Sequence, residues 1–416
     1  MTVTRQAIDL PADLPSHVEV VAAHALADLL GVQVSPVAEL APGGSRVAWL
    51  AAAQDDQPAR LCVYHLVAPY RGACHEVPAA FQGIPYRLAW SPDASWLAFT
   101  EDPSAQALES DLWVFAVETG QFTNLTDEGA AGPIAELNGA DYTLDYLPLW
   151  DPATGLLLFW RSAPTAEGGT LALMRVDPTQ GAPQELADLT GALGETHVRF
   201  GVQRFYLSGP AAVAPDGSQV AVALTSATEM AQAASDGVWL IDLVDPAAAP
   251  RQLVSAGALQ AALPRWQDQP AVLRGLQWTP DGQGVVVAAL SSDLRLPLLV
   301  VAYAEAASGD LTLLTDYSQV ASRAAFFEIP GPGQRPLRYS VPWTVAVAPN
   351  AAAVLLVNDL GGIVTVSSVP LPPQAQTPQV VYQQTSPGFE VWTRASSAAD
   401  GKVLVYGLLL ETEGRD

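Results

Sequence analysis

The chain has 416 residues, half of them apolar, with 43 Asp and Glu against 19 Lys and Arg for a net charge of −24. That acidity excludes wrapping nucleic acid or docking on anionic lipid, because both require a basic surface. There are 2 cysteines and 5 histidines, no CxxC and no HxxxH, so no metal-ligand spacing exists and no cofactor is expected.

In chain order, the segment MTVTRQAIDLPADLP lacks a basic region and an apolar run. The expected compartment is therefore the cytoplasm, or the periplasm or exterior if a signal has been removed. Thr2 to Ile8 reads as a strand able to close a ring. Ser16-His17-Val18-Glu19 matches a capping box and Gly31 a C′ residue, which predicts a short N-terminal helix over residues 17–30. Val341 to Asn358, the longest uncharged run, is broken by Pro342 and Pro349 into two strands, and direct membrane insertion is not expected.

One phrase then recurs seven times: an apolar run, a Pro-Asp-Gly-like turn and a second apolar run. The copies begin at Leu40, Leu88, Leu147, Ala212, Leu276, Ala346 and Ala395, with turn prolines at 42, 92, 152, 215, 280 and 349. Ala399-Asp400-Gly401 takes that place in the seventh. Self-similarity at such a period marks a repeat architecture.

Between turns the second copy reads as four short strands, Arg87 to Ser91, Trp96 to Glu101, Asp111 to Val117 and Phe122 to Thr126, and the fifth repeats the plan. A lone four-stranded sheet leaves both faces uncovered, and stacking such sheets around an axis buries them. The reading is all-β: a seven-bladed β-propeller of four-stranded antiparallel blades, with six blades plus a hairpin as the alternative. Residues 1–35 form the closing strand and helix and 36–416 the propeller. The blades fall near 36–80, 85–128, 141–190, 205–255, 272–316, 338–384 and 387–416, the last completed by the N-terminal strand.

The phrase AWSPDASWLAF followed by DLWVFAVETGQFTNLT resembles the repeats of TolB-like, WD-repeat-like propellers. The resemblance implies the fold and a habit of binding proteins or peptides, and it carries no catalytic residues. Units three and six, with Asp151-Pro152-Ala153 and Pro349-Asn350-Ala351, lack the glycine.

The turns decorate one face, and the long crossings Gly129–Asp141, Gly191–Phe205, Ala256–Val272 and Ser318–Tyr339 emerge on the other. Those crossings hold Arg199, Arg204, Arg265, Trp266, Arg323, Phe326, Phe327, Arg335 and Arg338. Arginine and aromatic clusters suit carboxylate recognition and protein interfaces, though they also pin loops through ion pairs. The expected function is a non-enzymatic propeller that binds another protein, a peptide or an extracellular glycan through this loop-rich face. The alternative is a polysaccharide hydrolase or lyase using acids at the channel mouth, drawn from Glu136, Asp141, Asp145, Asp316, Glu328 and Glu390.

Three smaller features complete the reading. Cys62 and Cys74 lie on a predicted hairpin where either a cross-strand disulfide or two buried thiols fit. His65 and His75, on the same hairpin, read as surface cross-strand neighbours. Asn124-Leu125-Thr126 matches a glycosylation sequon but coincides with the repeat phrase.

Overall fold

The computed structural model describes residues 5–8, 18–21, 38–42, 45–51, 58–65, 71–79, 84–102, 110–127, 143–163, 170–179, 181–191, 211–224, 236–262, 271–291, 299–316, 328–330, 336–338, 344–347, 353–359, 363–371, 379–385, 389–397 and 403–410. The chain divides into two compact units, Leu30–Leu253 and Met1–Leu29 with Val254–Asp416. Six four-stranded antiparallel sheets stand among the described residues, the blade architecture of a β-propeller.

At the N-terminus, β1 (Arg5–Ile8) pairs antiparallel with β2 (Val18–Val21). This corrects the expected helix over 17–30 at its start; its remainder lies outside the described residues. The β-branched Val18, Val20 and Val21 favour the pleat over a helical turn, where their side chains crowd the preceding residues.

The Leu30–Leu253 unit holds four sheets. The first comprises β3 (Ala38–Leu40), β4 (Arg46–Ala51), β5 (Arg60–His65) and β6 (Gly72–Glu76). The second comprises β7 (Ile84–Trp90), β8 (Trp96–Asp102), β9 (Leu112–Ala116) and β10 (Gln121–Asn124). The third comprises β11 (Leu144–Trp150), β12 (Leu157–Ala163), β13 (Thr170–Val176) and β14 (Gln184–Asp188). The fourth comprises β15 (Ala211–Val213), β16 (Gln219–Leu224), β17 (Gly237–Asp242) and β18 (Arg251–Ser255). The first strands β3, β7, β11 and β15 lie beside one another in sequence order.

A strand covered on both faces reads as an unbroken apolar run rather than an alternation. In β12, Leu157, Leu158, Phe159 and Trp160 are each no more than 3% exposed. Leu157 and Phe159 pack on Ala98, Leu112 and Val114 of the second sheet, while Leu158 and Trp160 pack on Val220, Val222 and Leu224 of the fourth. Each such side chain contributes about 1.5–3 kcal/mol by leaving water. Leu61 and Val63 meet Leu97, Phe99 and Phe115 in the same way.

The recurring turn closes identically in five sheets. The N–H of the residue before proline donates to the carbonyl four residues beyond it: Ala41 to Arg46, Ser91 to Trp96, Asp151 to Leu156, Ala214 to Gln219 and Thr279 to Gly284, at 2.8–2.9 Å. The residue after the turn aspartate enters the left-handed region, which favours Gly217 (φ 72°) and Gly282 (φ 69°), whereas Ala94 accepts φ 57° without that freedom.

Neighbouring sheets are tied just before these turns. Trp90 Nε1 donates to Glu39 O, and Trp150 Nε1 to Ala89 O, both at 3.0 Å. In each case the donor stands two residues before its proline and the acceptor three before the proline of the preceding sheet.

The other unit opens with α1 (Ala256–Ala261), capped by Ser255 Oγ accepting from Ala258 N. The sequence had treated this stretch as part of a crossing. Its sheets are β19 (Ala271–Trp278), β20 (Gly284–Ser291), β21 (Leu299–Glu305), β22 (Leu311–Asp316), and, after the hairpin β23 (Glu328–Pro330) and β24 (Pro336–Arg338), β25 (Thr344–Val347), β26 (Ala353–Asp359), β27 (Ile363–Pro370), β28 (Gln379–Thr385). The tie recurs here with exchanged roles, Val347 N donating to Gln277 Oε1 at 2.7 Å. The hairpin β29 (Phe389–Ser397) and β30 (Val403–Leu410) places β29 against β25 and β30 against β2. The strand beside the C-terminal hairpin is therefore β2, not the expected Thr2–Ile8 segment.

Candidate functional site

Each sheet has two ends. One carries the proline turn and the third-to-fourth-strand hairpin, and the other carries the remaining loops and crossings.

At the turn end the carboxylates close on their own turns. Asp93 accepts from Ser91 Oγ at 2.6 Å and from Ser95 N at 3.1 Å. Asp216 accepts from Ser218 Oγ at 2.7 Å, and Asp281 from Thr279 Oγ1 at 2.6 Å. Hydroxyl donation holds all three carboxyls below the ordinary aspartate range, against the opposing effect of burial. These aspartates are parts of the turn.

The loop end of the third sheet is organised by Asp145. It is fully buried, faces Arg161 across β11 and β12, and accepts from its Nε at 2.8 Å and its Nη2 at 2.6 Å. A two-pronged guanidinium–carboxylate pair of this kind is strong and directional. The Arg161 guanidinium also lies 5.7 Å from the centroid of the Phe159 ring. The Asp145 backbone is pinned too, its N–H donating to Ser110 O and its carbonyl accepting from Ser110 Oγ at 2.7 Å. Beside it, burial pushes the Tyr146 phenol up; Ser162 opposes the shift and the Asp145 charge adds to it. Of the acids singled out as catalytic candidates, Asp145 is consumed by a structural ion pair.

The side chains of the other acidic candidates, Glu136, Asp141, Asp316, Glu328 and Glu390, lie outside the described residues. So do Arg199, Arg204, Arg265, Trp266, Arg323, Phe326, Phe327 and Arg335. Arg338 ends β24 with Glu328 as its backbone partner. Among the described residues, no group of three His, Cys, Asp or Glu could hold a metal.

Cys62 and Cys74 are direct partners across β5 and β6, disulfide-bonded with Cα atoms 4.0 Å apart. The same register corrects the histidine reading: His75 stands opposite Leu61, and His65 N donates to Arg71 O. His75 instead packs its ring 5.0 Å from that of Phe115. Asn124 of the sequon donates to Asp111 Oδ2 at 2.6 Å and accepts from Thr126 N, while Thr126 Oγ1 accepts from Leu112 N. Asp188 and Thr190 repeat this clasp in the third sheet, with Leu171 N donating to Thr190 Oγ1 at 3.0 Å. The Leu-Thr phrase thus fastens the fourth strand to the third.

Two features escaped the sequence reading, the Arg161 partner of Asp145 and a row of three basic residues, Arg46, His65 and Arg71, across the first sheet. The second carried a signal, three basic residues around one hairpin of a strongly acidic chain.

No family model matches the sequence, and no curated protein matches it significantly. Solved structures do. Hydrazine synthase of Kuenenia stuttgartiensis is 11% identical over 90% of this chain and 95% of that one, with a TM-score of 0.52. Oligogalacturonate lyase from Vibrio parahaemolyticus is 10% identical over 98% and 96%, also at 0.52. An oligogalacturonate lyase in complex with manganese is 12% identical over 99% and 98%, at 0.51. At such identities the likeness is one of fold, and it agrees with the stacked four-stranded sheets: the chain is a β-propeller.

Proposed function

We propose that this propeller is a non-enzymatic binding module of the TolB-like kind. It has seven blades, the last shared between the C-terminal hairpin and the N-terminal strands. It engages a protein, a peptide or an extracellular polymer through the loop end of its sheets. The supporting observation is the Asp145–Arg161 pair. At that end the candidate acid is buried and neutralised rather than poised beside a substrate, and a buried ion pair is better suited to fixing the base of a binding surface. The arginine- and aromatic-bearing crossings supply the contacts.

The test is affinity purification from source extract with the full chain and with the triple variant Arg265→Ala, Trp266→Ala, Arg323→Ala. A partner held by the first and lost by the second supports the proposal. Release of unsaturated sugars from polygalacturonate by the unmodified chain, followed by ultraviolet absorbance, would overturn it in favour of a lyase.

A further inference from the structure

Asp and Glu outnumber Lys and Arg by more than two to one in this chain, which makes two arginines gathered around a histidine conspicuous. Arg46 in β4 is the direct cross-strand partner of His65 in β5. His65 N in turn donates to Arg71 O across the next ladder at 2.8 Å, so Arg71 stands opposite His65. Residues directly opposed on neighbouring strands share a face. The three therefore form one row across three strands, at the turn end of the first sheet, on the face that Leu61 and Val63 turn to the second sheet.

Among the described residues none of the three has an acidic partner. The ion pairs Arg60 with Glu76 and Arg161 with Asp145 involve none of them. Arg46 donates to the Ala94 carbonyl of the adjoining turn at 3.4 Å. The acid of that turn, Asp93, is already engaged by Ser91 and Ser95. Arg71 is exposed, and Arg46 and His65 are half-buried. The imidazole registers its surroundings: burial first, then Arg46 and Arg71, lower its affinity for a proton.

We propose that Arg46, His65 and Arg71 form an oxyanion-binding site on the turn end of the first sheet, taking a phosphate or carboxylate group between the two guanidinium forks. Arginine offers paired N–H donors that match such groups, and a bound anion supplies the missing countercharge. The site is separate from the loop-end surface, so either can fail without the other. Because an anion favours the imidazolium, its binding raises the proton affinity of His65, and by reciprocity its affinity rises as pH falls through the histidine range. The charges acting on His65 are Arg46 and Arg71; the Asp93 carboxylate is turned onto its own loop.

The test follows the C2 proton of His65, assigned with His65→Gln, through pH titrations in inorganic phosphate, in acetate and in chloride at matched ionic strength. An upward shift of the His65 midpoint in phosphate or acetate over chloride, with saturation, is expected; the stronger arm identifies the preferred oxyanion. Arg71→Gln, an exposed change that leaves the fold intact, should weaken the response at least about tenfold, the worth of one charged hydrogen bond. Identical midpoints in all three salts overturn the proposal, as does an undiminished response in Arg71→Gln.

Discussion

The third and first sheets each set an arginine across a ladder from a titratable residue, with opposite outcomes. In the third, Asp145 meets Arg161 and both charges disappear into a fully buried carboxylate and its fork. In the first, Arg46 meets His65 and then Arg71, like beside like, and the charge stays at the surface. An arginine set across a ladder thus yields a structural joint at the loop end of one sheet and an unmet electrostatic demand at the turn end of another. Which one results depends on the residue that faces the arginine, a carboxylate in the third sheet and an imidazole in the first.

The comparison breaks most sharply at Asp145. Asp145→Ala leaves Arg161 without its counter-ion and should cost about 3–5 kcal/mol in urea denaturation, whereas the double change Asp145→Leu, Arg161→Met should recover most of that loss. A double variant as weak as the single one would show that the pair is irreplaceable. Next in size is Trp150→Phe, which strips the donor from Ala89 O and should cost roughly 1–3 kcal/mol by the same measurement.

Acid provides a graded test. Asp93, Asp216 and Asp281 hold their protons less tightly folded than unfolded. Their stabilisation is present above the ordinary aspartate pKa of about 4 and is lost as pH falls through the lower folded values. Melting temperatures should therefore decline below that point, and Asp281→Asn should flatten the decline. The smallest change in stability is expected of His65→Glu, which gives Arg46 and Arg71 a partner. It should alter the unfolding midpoint by less than about 1 kcal/mol while abolishing any phosphate response, making the first sheet resemble the third.

Much of this fold is written in short-range chemistry. The proline turns were legible because five of them use one hydrogen-bonding scheme, and the strands because double-sided burial leaves unbroken runs such as Leu157 to Trp160. Misreadings arose where one tetrapeptide suits two states, as at Val18–Val21, whose valines also fit an apolar helical face. The Asp145 partner was hidden for a different reason. Counting outward from the Pro152 turn sets Asp145 opposite Ser162. A bulge between Tyr146 and Leu149, with Leu147 at φ 57°, moves it opposite Arg161. The candidate arginines of the long crossings have no repeated neighbours to align against, so their mutual placement cannot be counted from any turn.

The ties just before the proline turns have a direction. Trp90 reaches back to Glu39, Trp150 back to Ala89, and the Val347 amide back to Gln277. In these three the donor belongs to the later segment and the acceptor to the earlier one, whereas Arg46 donating to Ala94 O and Ser110 Oγ donating to Asp145 O run the other way. On a ribosome releasing about 5–20 residues per second, each newly emerged sheet would find its acceptor already synthesised. These three ties can therefore close in the order in which the sheets are translated.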